Sequence, residues 1–180
     1  MLEPVRSIDS LDTCFTLLLV DRLPEEWVNI ATDLKKSRRI FIQFFNPACL
    51  VSELIPFLVY NVHQAFKHRY NVLRGFEQEL LVALYGKRSF QEALSTLGAP
   101  VSQRAAILVV SEDVAVLKEA VAALKEEFSK RGLSVEPFRD DEQLFTAFWS
   151  SLLSRDLKVE ALKYSDVLEL VKERIALLYV

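Results

Sequence analysis

Residues 105–138 read AAILVVSEDVAVLKEAVAALKEEFSKRGLSVEPF, and the fold class turns on this stretch. Ala105 to Val110 is an uncharged apolar run of strand length, and Leu117, Val121, Leu124 and Phe128 then recur at helical spacing. Gly132 closes that helix, and Leu133 to Phe138 reads as a strand again. Strand, helix, strand is a crossover unit, which lays a helix on the face of a sheet. Outward from it, Cys14 to Val20 and Ile40 to Phe45 are further apolar, β-prone runs ended by Asp21 and by Asn46-Pro47. Between them a helix is predicted from Pro24, with Glu25 and Glu26 in its first turn and Lys35 and Lys36 in its last. The expected architecture is α/β: a single domain over residues 1–180, with a mixed β-sheet of about four strands packed with several helices.

The remaining helices announce themselves by period and punctuation. Leu54, Leu58, Val62 and Ala65 mark one from about Ser52 to Arg69, and Leu73, Phe76, Leu80 and Leu84 mark another ending at Gly86. Ser89-Phe90-Gln91-Glu92 reads as a capping box opening a short helix, with Gly98 in the left-handed closing position and Pro100 blocking continuation. Asp140 to Trp149 is predicted helical, Ser150 to Lys163 carries no clear pattern, and Ser165 starts a terminal helix reaching nearly to Val180.

Composition excludes several function classes. Twenty-two Lys and Arg against 25 Asp and Glu give a net charge of −3 and a pI near 5.5, so a nucleic-acid surface has to be local. The four glycines, Gly75, Gly86, Gly98 and Gly132, are too far apart for a dinucleotide fingerprint, a P-loop or a nucleophile elbow. His63 and His68 fall on different helical faces, so no metal site is expected, and no cofactor either. Cys14 and Cys49 form no C-x-x-C motif and read as two buried thiols in a reducing compartment. The run Cys14 to Val20 is too short to span a bilayer and Met1 to Ser10 is charged and polar, so a cytoplasmic protein without membrane contact is expected.

No catalytic constellation assembles. Neither histidine adjoins a recognisable nucleophile, and the acid pairs Glu77/Glu79, Glu126/Glu127 and Asp140/Asp141 are of a kind common on solvated helix faces. Charge distribution says more: His63 to Arg88 is +3 whereas Glu112 to Glu142 is −4. Lys67, Arg69, Arg74, Lys87 and Arg88 can meet phosphates, Tyr70 or Tyr85 can stack on an unpaired base, and His68 can do either. The plainer reading gives Phe76 to a core stripe and Lys67 to Arg69 to a charged helix end. In the terminal helix, Leu168, Leu170, Val171, Ile175, Leu177 and Leu178 cover an arc of roughly 200°, wider than one-sided packing uses. Arg174 projects into that arc and, if buried, needs a carboxylate or carbonyl partner. Either this is a central core helix, or Leu170, Arg174, Ile175 and Leu178 face a partner, and the width of the arc favours the partner interface.

Asn46-Pro47-Ala48, His63-Gln64-Ala65, Leu73-Arg74 with Glu79-Leu80-Leu81, and Gly86-Lys87-Arg88-Ser89-Phe90-Gln91-Glu92-Ala93-Leu94 with Leu97-Gly98 occur in that order. A strand at Ile107 to Val110 and the ending Glu173-Arg174-Ile175-Ala176-Leu177-Leu178 complete the series. In order and spacing these resemble the PRPK-binding protein family, the small regulatory subunit of the KEOPS (EKC) complex. The match covers about residues 46–111 and the last fifteen; Phe41 to Phe45, the stretch Tyr70 to Leu73 and Ser150 to Lys163 depart from it. The resemblance implies a noncatalytic α/β subunit that binds the complex's small RIO-like kinase/ATPase. It also implies support for threonylcarbamoylation of the adenosine beside the anticodon of tRNA, and in archaeal members a grip on the tRNA 3′ CCA end. Other KEOPS subunits are then met only indirectly. From the residues alone, a metabolite-binding regulatory module and a plain protein adaptor without RNA contact stay open; the former calls for an enclosed apolar pocket with convergent polar groups.

Overall fold

The computed structural model describes residues 5–8, 11–154 and 162–180; most of Met1 to Ser10 and the centre of Ser150 to Lys163 lie outside the described residues. The chain divides into two compact units, each built from two stretches: Met1–Pro47 with Ala99–Phe138, and Ala48–Gly98 with Arg139–Val180. No long Gly-, Pro- or Ser-rich linker marks any of the three crossing points.

The first unit holds a five-stranded sheet. Strands β1 (Arg6–Ile8), β2 (Thr13–Val20), β3 (Ile40–Phe45), β4 (Ala105–Ser111) and β5 (Val135–Pro137) run in the order β1-β2-β4-β3. β5 also pairs with β2, so the outer edge of β2 is shared: β1 takes Thr13 to Phe15 and β5 takes Leu18 to Val20. The α/β class and the helix-covered sheet stand as expected. Every hydrogen-bonded strand pair is antiparallel. The crossover from β4 through α5 (Val114–Ser129) to β5 is present, but β2 sits between its two parallel strands, so it is a split crossover.

Helices α1 (Trp27–Lys36) and α5 cover one face. Ile30, Ala31 and Leu34 of α1, and Leu117, Ala120, Val121, Leu124 and Phe128 of α5, pack on Cys14, Leu18, Val20, Ile42, Phe44, Ile107 and Val109. The Trp27 ring lies 4.9 Å from Phe44. The residues between them along the strands, Phe15, Leu17, Phe45, Leu108 and Val110, are buried too, which is why these strands read as unbroken apolar runs and not as alternating ones. Asp113 caps α5 by accepting from the amides of Ala115 and Val116 at 2.7 and 3.2 Å. α1 begins three residues after Pro24, because Pro24 to Glu26 form a separate turn closed by the Trp27 amide on the Pro24 carbonyl.

The second unit is helical: a 3-10 turn (Pro47–Cys49 spans its entry), α2 (Leu54–His68), α3 (Phe76–Tyr85), α4 (Phe90–Leu97), α6 (Glu142–Leu153) and α7 (Tyr164–Leu177). α3 packs on α2 and α4, and α7 packs on α2, α3 and α6. The indole N–H of Trp149, fully buried, donates to the Cys49 carbonyl at 3.1 Å and ties α6 to the stretch before α2. Asp140 and Asp141, read as a solvated acid pair, are structural ties: Asp140 accepts from the Ser52 amide at 2.7 Å and Asp141 caps α6 through the Leu144 amide at 2.9 Å. Both cysteines are buried thiols outside any disulfide, and burial pushes both above the ordinary thiol range; at Cys14 the Asp113 charge adds to this. Among the described residues no helix is long and apolar enough to cross a membrane.

Ser89 caps α4 as predicted, accepting from the Glu92 amide at 3.4 Å, while the Glu92 carboxylate accepts from the Tyr85 hydroxyl at 3.1 Å. Gly98 departs from expectation. Its backbone is extended (φ −66°, ψ 148°), and glycine is needed for room: a Cβ there would stand 2.5 Å from the Leu94 carbonyl oxygen. Gly98→Ala is therefore expected to cost about 1–3 kcal/mol, read as a lowered urea midpoint at unchanged m-value.

Candidate nucleic-acid interface

Helix α2 ends on a left-handed arginine. Arg69 has φ 61° and ψ 34°; its amide donates to Phe66 at 3.3 Å and the Tyr70 amide to Ala65 at 2.8 Å, the hydrogen-bond pattern that normally carries glycine at this position. An arginine there costs about 1 kcal/mol of backbone strain. The turn throws Lys67, His68, Arg69 and Tyr70 into solvent, and Arg74 is exposed on the next loop. Tyr70 is 63% exposed, its ring stacked on His68 with centroids 6.1 Å apart and planes at 23°. Helix-end electrostatics accounts for Lys67 and His68, but for neither the strained Arg69 nor the exposed Tyr70.

The loop after Tyr70 is held by a carboxylate. Glu79 is fully buried and accepts from the amides of Val72 at 3.0 Å and Leu73 at 2.7 Å, and from the Tyr179 hydroxyl at 2.9 Å. Glu79 is therefore not on the solvated face expected of the Glu77/Glu79 pair. A legible signal existed: Glu79 stands three residues after Phe76, beside Leu80, on the apolar stripe of α3, and a buried carboxylate is tolerable only when donors converge on it. Burial, and secondarily the Glu79 charge, hold the Tyr179 hydroxyl far above its ordinary range, so it remains a donor.

At the far end of α3, Gly86 is left-handed (φ 71°) and Lys87 and Arg88 are exposed. Tyr85 is corrected as a base platform. It is only 7% exposed, its hydroxyl donates to Glu92, and the Lys87 ammonium lies 5.8 Å over its ring. Nor does the turn gather all the cations. α3 has ten residues, so about 15 Å of helix separates Lys67, His68, Arg69 and Arg74 from Lys87 and Arg88. Among the described residues, Lys67, Arg69, Arg74 and Arg88 form no ion pair.

The terminal helix also needs correction. Ile175 is fully buried and Leu178 is 6% exposed, alongside Val167, Leu168 and Val171. The wide apolar arc is consumed by three neighbouring helices, so Ile175 and Leu178 are not on offer to a partner; Leu170 and Arg174 are half-buried. Arg174 does find the carbonyl its position demanded, donating from Nη2 to Tyr85 O at 3.0 Å at the negative end of α3. Leu177, 59% exposed, is the apolar residue that α7 leaves outward.

Two surface clefts of about 350 and 340 Å³ lie in the first unit, one lined by Asp33, Arg38, Glu126, Glu127 and Arg131, the other by Asp12, Thr13, Cys14 and Glu112. Neither has the enclosed apolar lining that a metabolite module calls for. No family model matches the chain, and no curated protein matches it.

Two substitutions separate surface from core. Arg69→Gly is expected to raise stability by up to about 1 kcal/mol in thermal unfolding, because glycine relieves the left-handed strain. Ile175→Asp is expected to lose several kcal/mol and with it the folded helical unit, seen as lost near-UV dichroism, because an unpaired carboxylate would sit in a sealed core.

Proposed function

We propose that the chain is a noncatalytic regulatory subunit of a KEOPS (EKC) complex, acting in the cytoplasm. It binds and regulates the small RIO-like kinase/ATPase of that complex, has no turnover of its own, and helps to recruit tRNA by its 3′ CCA end for threonylcarbamoyladenosine modification next to the anticodon. The resemblance across residues 46–111 and the last fifteen supplies the family. The observation that carries the RNA part is Tyr70, solvent-facing and stacked on His68 among exposed cations. An aromatic platform between phosphate-binding cations is what holds unpaired nucleotides, since each stacked base contributes about 1–3 kcal/mol and cations alone do not distinguish an end from a duplex. The two basic groups support the same reading: at about 3.4 Å per stacked nucleotide, the roughly 15 Å along α3 suits about four nucleotides, the CCA end and its neighbour. For the kinase, the docking surface moves from Ile175 and Leu178 to the outward stripe of Leu170 and Leu177, two helical turns apart on one face.

Purified chain is expected to bind intact tRNA more tightly than tRNA trimmed of its 3′ nucleotides. Tyr70→Ala should weaken the intact complex by roughly 5- to 150-fold and leave the trimmed one unchanged, and each of Arg69→Gln and Arg74→Gln should lower the log–log salt slope by about 0.7. Equal affinity for both tRNAs would overturn the end-binding claim in favour of a plain adaptor. Leu177→Asp should fold normally and lose the kinase subunit in co-purification; retained kinase would place that interface elsewhere.

A further inference from the structure

Arg69, Tyr70, Arg74, Lys87 and Arg88 of the candidate interface sit on connections, not on helices, and connections hold a geometry only when something fixes their backbone. Two polar anchors do so, and both come from the end of the chain. Tyr179 donates to Glu79, whose carboxylate takes the amides of Val72 and Leu73 immediately before Arg74. Asn71 adds an internal tie from Nδ2 to the Leu73 carbonyl at 2.8 Å. One and a half turns earlier in α7, Arg174 donates to the Tyr85 carbonyl immediately before Gly86, Lys87 and Arg88. The fit at this second anchor is close: a Cβ on Gly86 would stand 2.9 Å from the Arg174 Cβ and 3.1 Å from its Nε. None of the groups making these contacts is an RNA-facing cation.

We infer that the carboxyl-terminal segment Arg174–Tyr179 is the positioning element of this interface, Tyr179 acting through Glu79 on the loop that carries Arg74 and Arg174 acting through the α3 terminus on the turn that carries Lys87 and Arg88. This rests on the proposed RNA-binding reading for its purpose, though not for its mechanics. Removing the Tyr179 hydroxyl leaves its ring in place and takes one of three donors from a buried carboxylate; the loop amides then compete with water for Glu79. Arg174→Met keeps the aliphatic stem against Gly86 and removes the donor to Tyr85. Tyr179→Phe changes no charge, so a loss of phosphate contacts in it has to come from displaced backbone; Arg174→Met also removes a half-buried positive charge beside the Gly86 turn and is read by amide exchange.

The test pairs amide hydrogen exchange of the full chain with tRNA binding. In Tyr179→Phe, exchange at Val72 and Leu73 is expected to quicken by about ten-fold with core amides such as Leu81 unchanged, and Glu79→Gln should quicken them further, because hydrogen bonds to a charged acceptor are the stronger kind. In Arg174→Met, the faster amides should be those of the Gly86 turn. For intact tRNA, Tyr179→Phe should lower the log–log salt slope by about 0.7, one phosphate contact, which a general loss of stability would not do. Unchanged exchange at Val72 and Leu73 in folded Tyr179→Phe overturns the inference; if Glu79→Gln does not fold, Tyr179→Phe decides alone. Quickened exchange with unchanged tRNA affinity and slope overturns the claim that this positioning serves the interface. Wild-type chain that binds no tRNA refutes the functional reading instead, and the exchange arms still decide the positioning.

Discussion

A carboxylate with no access to water organises the helical unit. Stripped of solvent, Glu79 has to be met by donors, and it obtains them from the Val72 and Leu73 amides and from Tyr179. Each donor solves a second problem. The two amides belong to a loop with no helix or strand to satisfy them, and the tyrosine brings the last residues of the chain back onto α3. Such an arrangement is strong when complete and costly when one member is removed, because the remaining charge is left short of partners in a low-dielectric site. The path of the chain between α2 and α3 therefore depends on a residue a hundred positions away.

In the sheet unit the corresponding constraint is the double occupancy of β2. Its inner edge pairs with β4 along its length, and its outer edge is divided between β1 and β5. Inserting β2 between β4 and β5 turns what would be a parallel neighbour pair into two antiparallel ladders, while the long helix α5 still makes the connection across the face. The ladders leave β2 no open edge at Cys14 and Phe15 or between Leu18 and Val20.

The candidate interface reflects a division of labour between strain and support. Arg69 holds a backbone conformation suited to glycine, and the strain it carries is offset by no hydrogen bond or ion pair of its own side chain among the described residues. A residue that destabilises the chain at a solvent-facing turn is the pattern expected of a binding position, where the benefit appears only with the ligand. Tyr70 is similar: burying its ring would be favourable, yet it stands exposed on His68. Lys87 and Arg88, one helix length away, are ordinary by comparison, and their placement follows from Gly86 and Arg174.

By itself the sequence determined the local and periodic features: the strands Ile40–Phe45 and Ala105–Ser111, helices α2 to α7 to within a few residues, the Ser89 cap, the buried thiols and the carbonyl sought by Arg174. These follow from side-chain period, capping chemistry and the cost of burying a charge, all of which act over a few residues. Only the tertiary structure decided what covers what. Strand order is set by pairings between segments far apart in sequence, and an apolar run reads alike in a parallel sheet and in an antiparallel one buried on both faces. The arc of α7 is as wide for a helix enclosed by three neighbours as for one awaiting a partner, so the roles of Ile175 and Leu178 waited on α2, α3 and α6. Glu79 and Tyr85 lie beside charges and aromatics in sequence but inward in space, because burial is a property of the packed unit and not of the residue.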